Sequence, residues 1–198
     1  MAEKNDEDKE ASRAREDLLI RNKAFHVAAG KYQNRASRPD PAQLGLLLAQ
    51  GVDVNYADED GWTALFHAGS EGHLRIVEWL VEEAGAEIDH RESDGCSPLW
   101  MACYNGRRDV VQYLLRLGAD ERITGKPDGE PVQSPAFAAR RQNHPGIADL
   151  VDGESALRRT DPTRQVREKA REMDPVEFRD SIREVVSSIM KESSEASS

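Results

Sequence analysis

Apolar residues in the middle of the chain fall into short stripes with the three-to-four-residue spacing of amphipathic helices. The stripes come in pairs separated by polar turns, and the pattern returns after 34 residues, so that residues 60–65 match residues 94–99. The match continues downstream through small and apolar positions, which composition alone does not produce. A period of this length is typical of stacked repeat proteins, which work as binding surfaces rather than around a single catalytic cleft.

Each repeating unit predicts two short helices followed by an extended loop. An Asp-Gly turn comes first, and the hydroxyl of Thr63 or Ser97 then caps the first helix. Gly72 and Gly106 end that helix, and a second apolar stripe follows. Insertions near residues 34–39 and 125–131 lengthen two outer, less regular units. We therefore expect an all-α fold.

The unit resembles that of the ankyrin-repeat family, which reads as a turn, Thr-Pro-Leu-His-x-Ala-Ala, a Gly-His turn, paired valines and leucines, and Gly-Ala-Asp-Val-Asn. The matching segments are residues 51–55, 72–73, 110–111 and 118–120. The resemblance implies an ankyrin-repeat solenoid of about four helix-turn-helix units with a C-terminal helix. Aromatic residues, Phe66, Trp100 and Phe137, replace the family's His after Leu, and we interpret them as a matched change within one core.

The two ends of the chain differ in character from the repeats. Residues 1–15 are highly charged and are predicted to be largely disordered. The predicted parts are a repeat domain 16–151 (capping unit 16–55, repeats 56–89 and 90–122, capping unit 123–151), a polar linker 152–173, an amphipathic helix 174–192 and a disordered tail 193–198. The helix at 174–192 can cover the last unit or order on a partner, and the length of the linker favours the second.

The formal net charge of −10 belongs entirely to residues 51–94, since the rest of the chain holds equal numbers of acids and bases. Such a surface repels the phosphate backbone of nucleic acids and attracts a basic protein. No run of 18 apolar residues suggests a membrane span, and the N-terminus lacks the apolar region of a signal peptide. We expect the partner to be a basic protein rather than a nucleic acid or a membrane. The chain is expected to be monomeric on its own.

The candidate catalytic and metal-binding residues also have structural interpretations. The five histidines do not form a ligand spacing, so no metal is predicted. Acidic pairs are expected on solvated surfaces, which lack the low-dielectric pocket that general acid–base catalysis uses, and no catalytic motif is present. The sequence therefore predicts a protein that is not an enzyme and needs no cofactor. Cys96 and Cys103 are expected to be reduced, which suits the cytoplasm or nucleus.

The resemblance implies that hairpin tips and exposed first-helix positions form a concave face that binds proteins. The corresponding residues here are Ala57, Glu59, Asp60, Trp62, Ser70 and Glu71 in one unit, and Arg91, Ser93, Asp94, Cys96, Tyr104 and Asn105 in the next. Trp62 is either an exposed anchor among steering charges or a residue packed over the adjacent hairpin, and both interpretations stay open.

The predicted function is a non-enzymatic adaptor that binds a basic partner through the acidic concave face, in a sharper version as an escort or assembly chaperone. A regulatory or inhibitory subunit that occludes a partner enzyme is the alternative. Catalysis by the last 45 residues is a third hypothesis, and the absence of Cys and His after His144 argues against it.

Overall fold

A computed structural model describes residues 2–30, 40–126 and 131–160 of the chain. Within these ranges the chain forms eight α-helices, which confirms the expected all-α fold. The helices are α1 (Ala2–Gly30), α2 (Pro41–Leu48), α3 (Ala64–Glu71), α4 (Leu74–Glu82), α5 (Pro98–Tyr104), α6 (Arg108–Arg116), α7 (Pro135–Arg141) and α8 (Pro145–Thr160).

The first helices of the two regular repeats begin at the predicted capping residues. The hydroxyl oxygen of Thr63 accepts the N–H of Phe66 over 3.3 Å, and Ser97 and Ser134 do the same at the starts of α5 and α7. Asp40 caps α2 by accepting the N–H of Ala42 over 3.1 Å. Because these bonds satisfy backbone donors that a short helix leaves unpaired, they explain why each helix starts where it does.

The helices form two layers. The first helices α1, α3, α5 and α7 pack against one another in a row, and the second helices α2, α4 and α6 form a parallel row beside them. The core lies between the two layers and is made of small and branched apolar side chains such as Leu65, Val77 and Leu99, all of which are fully buried. Each unit therefore buries its apolar face against its neighbours.

The N-terminal segment differs from the expectation of disorder over residues 1–15. Helix α1 begins at Ala2 and runs without interruption to Gly30. Its residues 10–20 are exposed, whereas Phe25, Ala28 and Ala29 are buried against the repeats. The Glu, Lys, Arg and Ala residues of the exposed part have high helix propensity and extend a helix that tertiary packing has already formed at its far end.

The C-terminal boundary also differs from the sequence expectation. The linker was predicted to start at residue 152, but α8 continues to Thr160 through Glu154, Ala156 and Leu157, which are good helix formers. The compact unit that holds the repeats ends at Ser155, and a second begins at Ala156. The rest of the predicted linker, the helix at 174–192 and the tail lie outside the described residues.

The three aromatic residues at the family's His position do not share one environment. Phe66 and Trp100 are fully buried, and the indole N–H of Trp100 donates to the carbonyl of Gln133 over 2.9 Å. Phe137 is 54% exposed. The expectation of one shared core is therefore wrong for Phe137. Helix α7 ends the row of first helices in the described part of the chain, and within that part no further repeat covers its outer side.

Candidate protein-binding face

Successive hairpins are joined at their tips by hydrogen bonds. The backbone N–H of Ser93 donates to the carbonyl of Asp60 over 3.3 Å, and one unit later the N–H of Lys126 donates to the carbonyl of Asp94 over 2.9 Å. The third hairpin is closed by Gly125 and Gln133, which exchange two antiparallel backbone hydrogen bonds. The tips therefore form one continuous edge rather than three independent loops.

In each of the first two hairpins one acid shapes the turn. A carboxylate oxygen of Asp58 accepts the N–H groups of Asp60 and Trp62 at 3.1 and 2.9 Å. Glu92 takes the same role one unit later, where its carboxylate accepts the N–H groups of Asp94 and Cys96 at 2.8 and 2.9 Å. These bonds hold the backbone of the tips in place, so the acids that follow them point to solvent.

Four carboxylates on the hairpin and first-helix side are exposed. We call Glu59, Asp60, Glu71 and Asp94 the acidic rim. Lys23 lies 3.4 Å from Glu59, whose side chain is 89% exposed, and Arg107 lies 3.9 Å from Glu71. Exposed ion pairs of this kind contribute little to stability, so the cations of a partner can compete for the carboxylates.

Aromatic side chains lie behind the rim. The ring centroid of Trp62 lies 4.6 Å from that of Phe66 and 5.0 Å from that of His67, so Trp62 packs on the first helix of its own unit and is half-buried. Tyr104 stacks on Trp100 at 5.3 Å with the rings nearly parallel. Trp62 and Tyr104 therefore present part of each ring at the surface and are held from behind.

Some of the predicted contact residues bind the repeats to one another. Ser70 is only 6% exposed. Its hydroxyl accepts the amide of Asn105 over 2.9 Å, and its carbonyl accepts the Nε–H of Arg107 over 2.8 Å. Ser70 is thus placed between α3 and the following unit instead of on the face, and Cys96 is likewise buried. Arg107 is not among the functional residues predicted from the sequence. It follows Gly106 at the position where the family has His, and this departure from the pattern was a signal that could have found it.

The acidic excess of residues 51–94 is divided between two sides of the molecule. Glu78 and Glu82 lie on α4 and Glu83 directly follows it, in the second-helix layer, away from the hairpins. Glu82 accepts the hydroxyl of Tyr113 over 2.8 Å. Only part of this charge lies on the hairpin side, because alternate helices of a repeat belong to opposite layers.

Two histidines meet at the first hairpin, although the sequence showed no ligand spacing. The Nε2 of His67 lies 3.1 Å from Oδ2 of Asp58, and the Nδ1 of His26 lies 3.9 Å from the same oxygen. Burial raises the pKa of Asp58, but the N–H of Trp62 and the hydrogen bond and charge of His67 outweigh it, so this pKa lies below its usual value. Stacking of α1 on α3 brings these residues together.

The two cysteines offer no activated nucleophile. Both Cys96 and Cys103 are buried and free. Burial raises the pKa of Cys103 to about 12, and burial together with the neighbouring Glu92 carboxylate raises the pKa of Cys96 even further. Since only the thiolate is nucleophilic, these are packing residues.

The repeat architecture agrees with the comparison to known families. The family model described as ankyrin repeats (3 copies) matches residues 25–124, half of the chain. The chain belongs to the ankyrin-repeat family. A search of curated proteins found no significant match. The ankyrin repeats form a protein–protein interaction module. Among the described residues no helix has the length and apolar character to cross a bilayer.

Proposed function

We propose that this ankyrin-repeat protein is a non-enzymatic adaptor that binds a basic segment of a partner protein along the acidic rim. The observation that carries the proposal is the hydrogen-bonded row of hairpin tips, which holds Asp60 and Asp94 side by side with exposed carboxylates. Trp62, half-buried beside them, supplies an apolar contact. Lys and Arg side chains of the partner pair with the carboxylates while their methylene stems cover the ring.

The rigidity of the rim supports this assignment. Hydrogen bonds from backbone N–H groups to the carboxylates of Asp58 and Glu92, together with those between the stacked tips, hold the backbone of the rim in place before a partner arrives. Less conformational entropy is then lost on binding than with a flexible acidic loop. The exposed Lys23 and Arg107 lower the local charge, so the partner must carry several cations to displace them.

A sharper form of the proposal is an escort or assembly chaperone for a basic client. Neutralising a positively charged segment prevents its nonspecific binding to nucleic acid until the client is assembled. We place this activity in the cytoplasm or nucleus, because two buried thiols without a disulfide suit a reducing compartment. The chain acts as a monomer on its own in this scheme.

Affinity capture with two charge-reversal variants tests the proposal. Glu59→Lys with Asp60→Lys reverses two rim charges, and Glu83→Lys with Glu87→Lys makes the same charge change at exposed positions elsewhere. Mass spectrometry of the captured proteins is expected to show basic partners that bind the wild type and the control pair but not the rim pair. Their binding should weaken between roughly 0.05 and 0.15 M salt.

Two results would count against the proposal. Equal capture of the same partners by both double variants would show that the rim is not the contact surface. Salt-insensitive capture of an enzyme through an apolar surface would favour the alternative, a regulatory or inhibitory subunit that occludes a partner enzyme.

A further inference from the structure

We propose that His26, Asp58 and His67 bind a divalent transition-metal ion, with Zn²⁺ as the natural candidate. The three residues come from α1, the first hairpin and α3. One ligand atom from each lies within 4.8 Å of the other two. An ion held there would tie the N-terminal helix to the first regular repeat.

The distances suit coordination after a small contraction. A tetrahedral site with metal–ligand bonds of about 2.0–2.1 Å separates its ligand atoms by roughly 3.3 Å. The separation of His67 Nε2 from Asp58 Oδ2 is 3.1 Å, and that of His26 Nδ1 from the same oxygen is 3.9 Å. The first separation is already close to this value, and the second needs a contraction of about 0.6 Å.

Hydrogen bonds to neighbouring groups orient two of the three ligands. The Nε2 of His26 lies 2.8 Å from the carbonyl of Tyr56, and because a carbonyl only accepts, this nitrogen carries the proton. Nδ1 is then the ligating nitrogen of neutral His26. Asp58 uses Oδ1 to accept the N–H groups of Asp60 and Trp62, which directs Oδ2 toward the rings. Outer hydrogen bonds of this kind are typical of metal ligands.

The surroundings of the cluster combine shelter with access. His26 is 4% and His67 9% exposed, and the rings of Tyr56 and Trp62 lie 5.3 and 5.0 Å from them. The side chain of Asp58 is 24% exposed, which leaves a route for the ion. Three protein ligands leave a fourth position for water or for a group from a partner.

The next repeat shows that the fold does not require the histidines. Glu92 stands 34 residues after Asp58 and accepts the same two backbone donors, so the acid alone shapes the hairpin. Met101 stands 34 residues after His67. When the first helices α1 and α3 are aligned so that Phe25 matches Leu65, His26 matches Phe66. His67 is thus an addition at this one interface, whereas His26 stands at the position where the family has its His and the next unit has Phe66.

Titration of the full-length, untagged and chelator-treated protein tests the proposal. Calorimetry with Zn²⁺ should give one ion per chain, and Co²⁺ should give the visible absorption of a low-coordinate nitrogen and oxygen site. Zinc at about 100 times its Kd should raise the Tm by about 5–10 °C.

Repeat-matched variants locate the site. His67→Met and His26→Phe introduce the residues of the next unit, and each should weaken zinc binding more than about tenfold. The control His90→Gln removes a histidine that lies 3.6 Å from Glu87, and it should bind as the wild type does. Helical circular dichroism checks that each variant is folded.

The proposal is overturned if zinc does not bind, or if His67→Met binds as tightly as the wild type. Should the variants fail to fold, nitrogen-15 NMR of the wild-type imidazoles still decides. Zinc must then shift the ring nitrogens of His26 and His67, and a shift confined to His73, His90 or His144 refutes the site.

Discussion

The hydroxyl of Ser93 donates to the carbonyl oxygen of Asp60 over 2.9 Å, and the backbone N–H of the same serine reaches that oxygen at 3.3 Å. The two residues occupy the tips of successive hairpins. The carbonyl of Asp60 thus accepts two hydrogen bonds from Ser93, one from its side chain and one from its main chain, and these bonds join two repeats. At the next junction the N–H of Lys126 makes the main-chain bond to Asp94.

Ser93→Ala should lower the free energy of unfolding by about 0.5–1 kcal/mol, since it removes the hydroxyl bond and keeps the backbone bond. The exposed position of Ser93 lets water replace the lost donor, which keeps the effect small. Urea denaturation followed by circular dichroism measures it. A loss of several kcal/mol would mean that the whole hairpin junction depends on the hydroxyl.

Gly30→Ala and Gly45→Ala should change stability in opposite directions. A Cβ at Gly30 would lie 2.3 Å from Cβ and 2.7 Å from the carbonyl carbon of His67, so α1 and α3 would have to separate. A Cβ at Gly45 meets only the Trp79 ring, at 3.8 Å. We expect a loss of about 1–3 kcal/mol at Gly30 and a gain of about 0.5–1 kcal/mol at Gly45.

Guanidinium unfolding curves of the two alanine variants, recorded side by side, check this pair. Gly45 lies inside α2 and Gly30 is the last residue of α1, so the propensity gain belongs mainly to Gly45. A loss of stability at Gly30 reports the close contact at His67. Similar shifts in both variants would refute that contact.

His73 should make stability depend on pH. Its buried Nε2 has no hydrogen-bond partner among the residues that the structure describes. Burial lowers its pKa below the ordinary value of 6.5, with Glu71 opposing and Arg107 adding to the effect. The unfolded chain then binds the proton more readily than the folded one. The contribution of His73 is fully present above pH 6.5 and is lost as the pH falls toward the folded pKa.

Thermal melts between about pH 8 and about pH 5.5 should therefore show a smaller loss of stability for His73→Gln than for the wild type. His90→Gln, which removes a histidine whose side chain is 22% exposed, serves as the control for the loss of an imidazole. Parallel melting profiles for His73→Gln and the wild type would contradict the assignment.

The thiols of Cys96 and Cys103 should resist alkylation in the native protein. Both are buried, and the pKa of Cys103 is raised to about 12, so almost no thiolate is present near neutral pH. Intact-mass measurements after iodoacetamide should show no adduct on the folded chain and two adducts after unfolding in guanidinium. Rapid labelling of folded protein would show that the α5 region opens readily.

The local structure of the repeats could be predicted because its causes lie close together in the sequence. Thr63, Ser97 and Ser134 cap helices through an N–H three residues away, and the Asp-Gly turns bend within four residues. At the ends of the chain the charged and polar composition was a poor guide, whereas the helix propensity of the individual residues agrees with the structure. Residues 2–15 and 152–160 looked like polar segments, yet they extend helices that are anchored by the packed repeats.

The sequence by itself determined the period, the caps and the pairing of helices, since each rests on contacts within a few positions of the chain. Only the tertiary structure decided what stacking brings together across about one repeat, such as Ser70 buried beneath Asn105 and Arg107, or His26 and His67 gathered around Asp58. It also decided that Phe137, at the position of the buried Trp100, is exposed. Such environments depend on the neighbouring unit, whose residues are far away in the chain and whose side chains follow no local pattern.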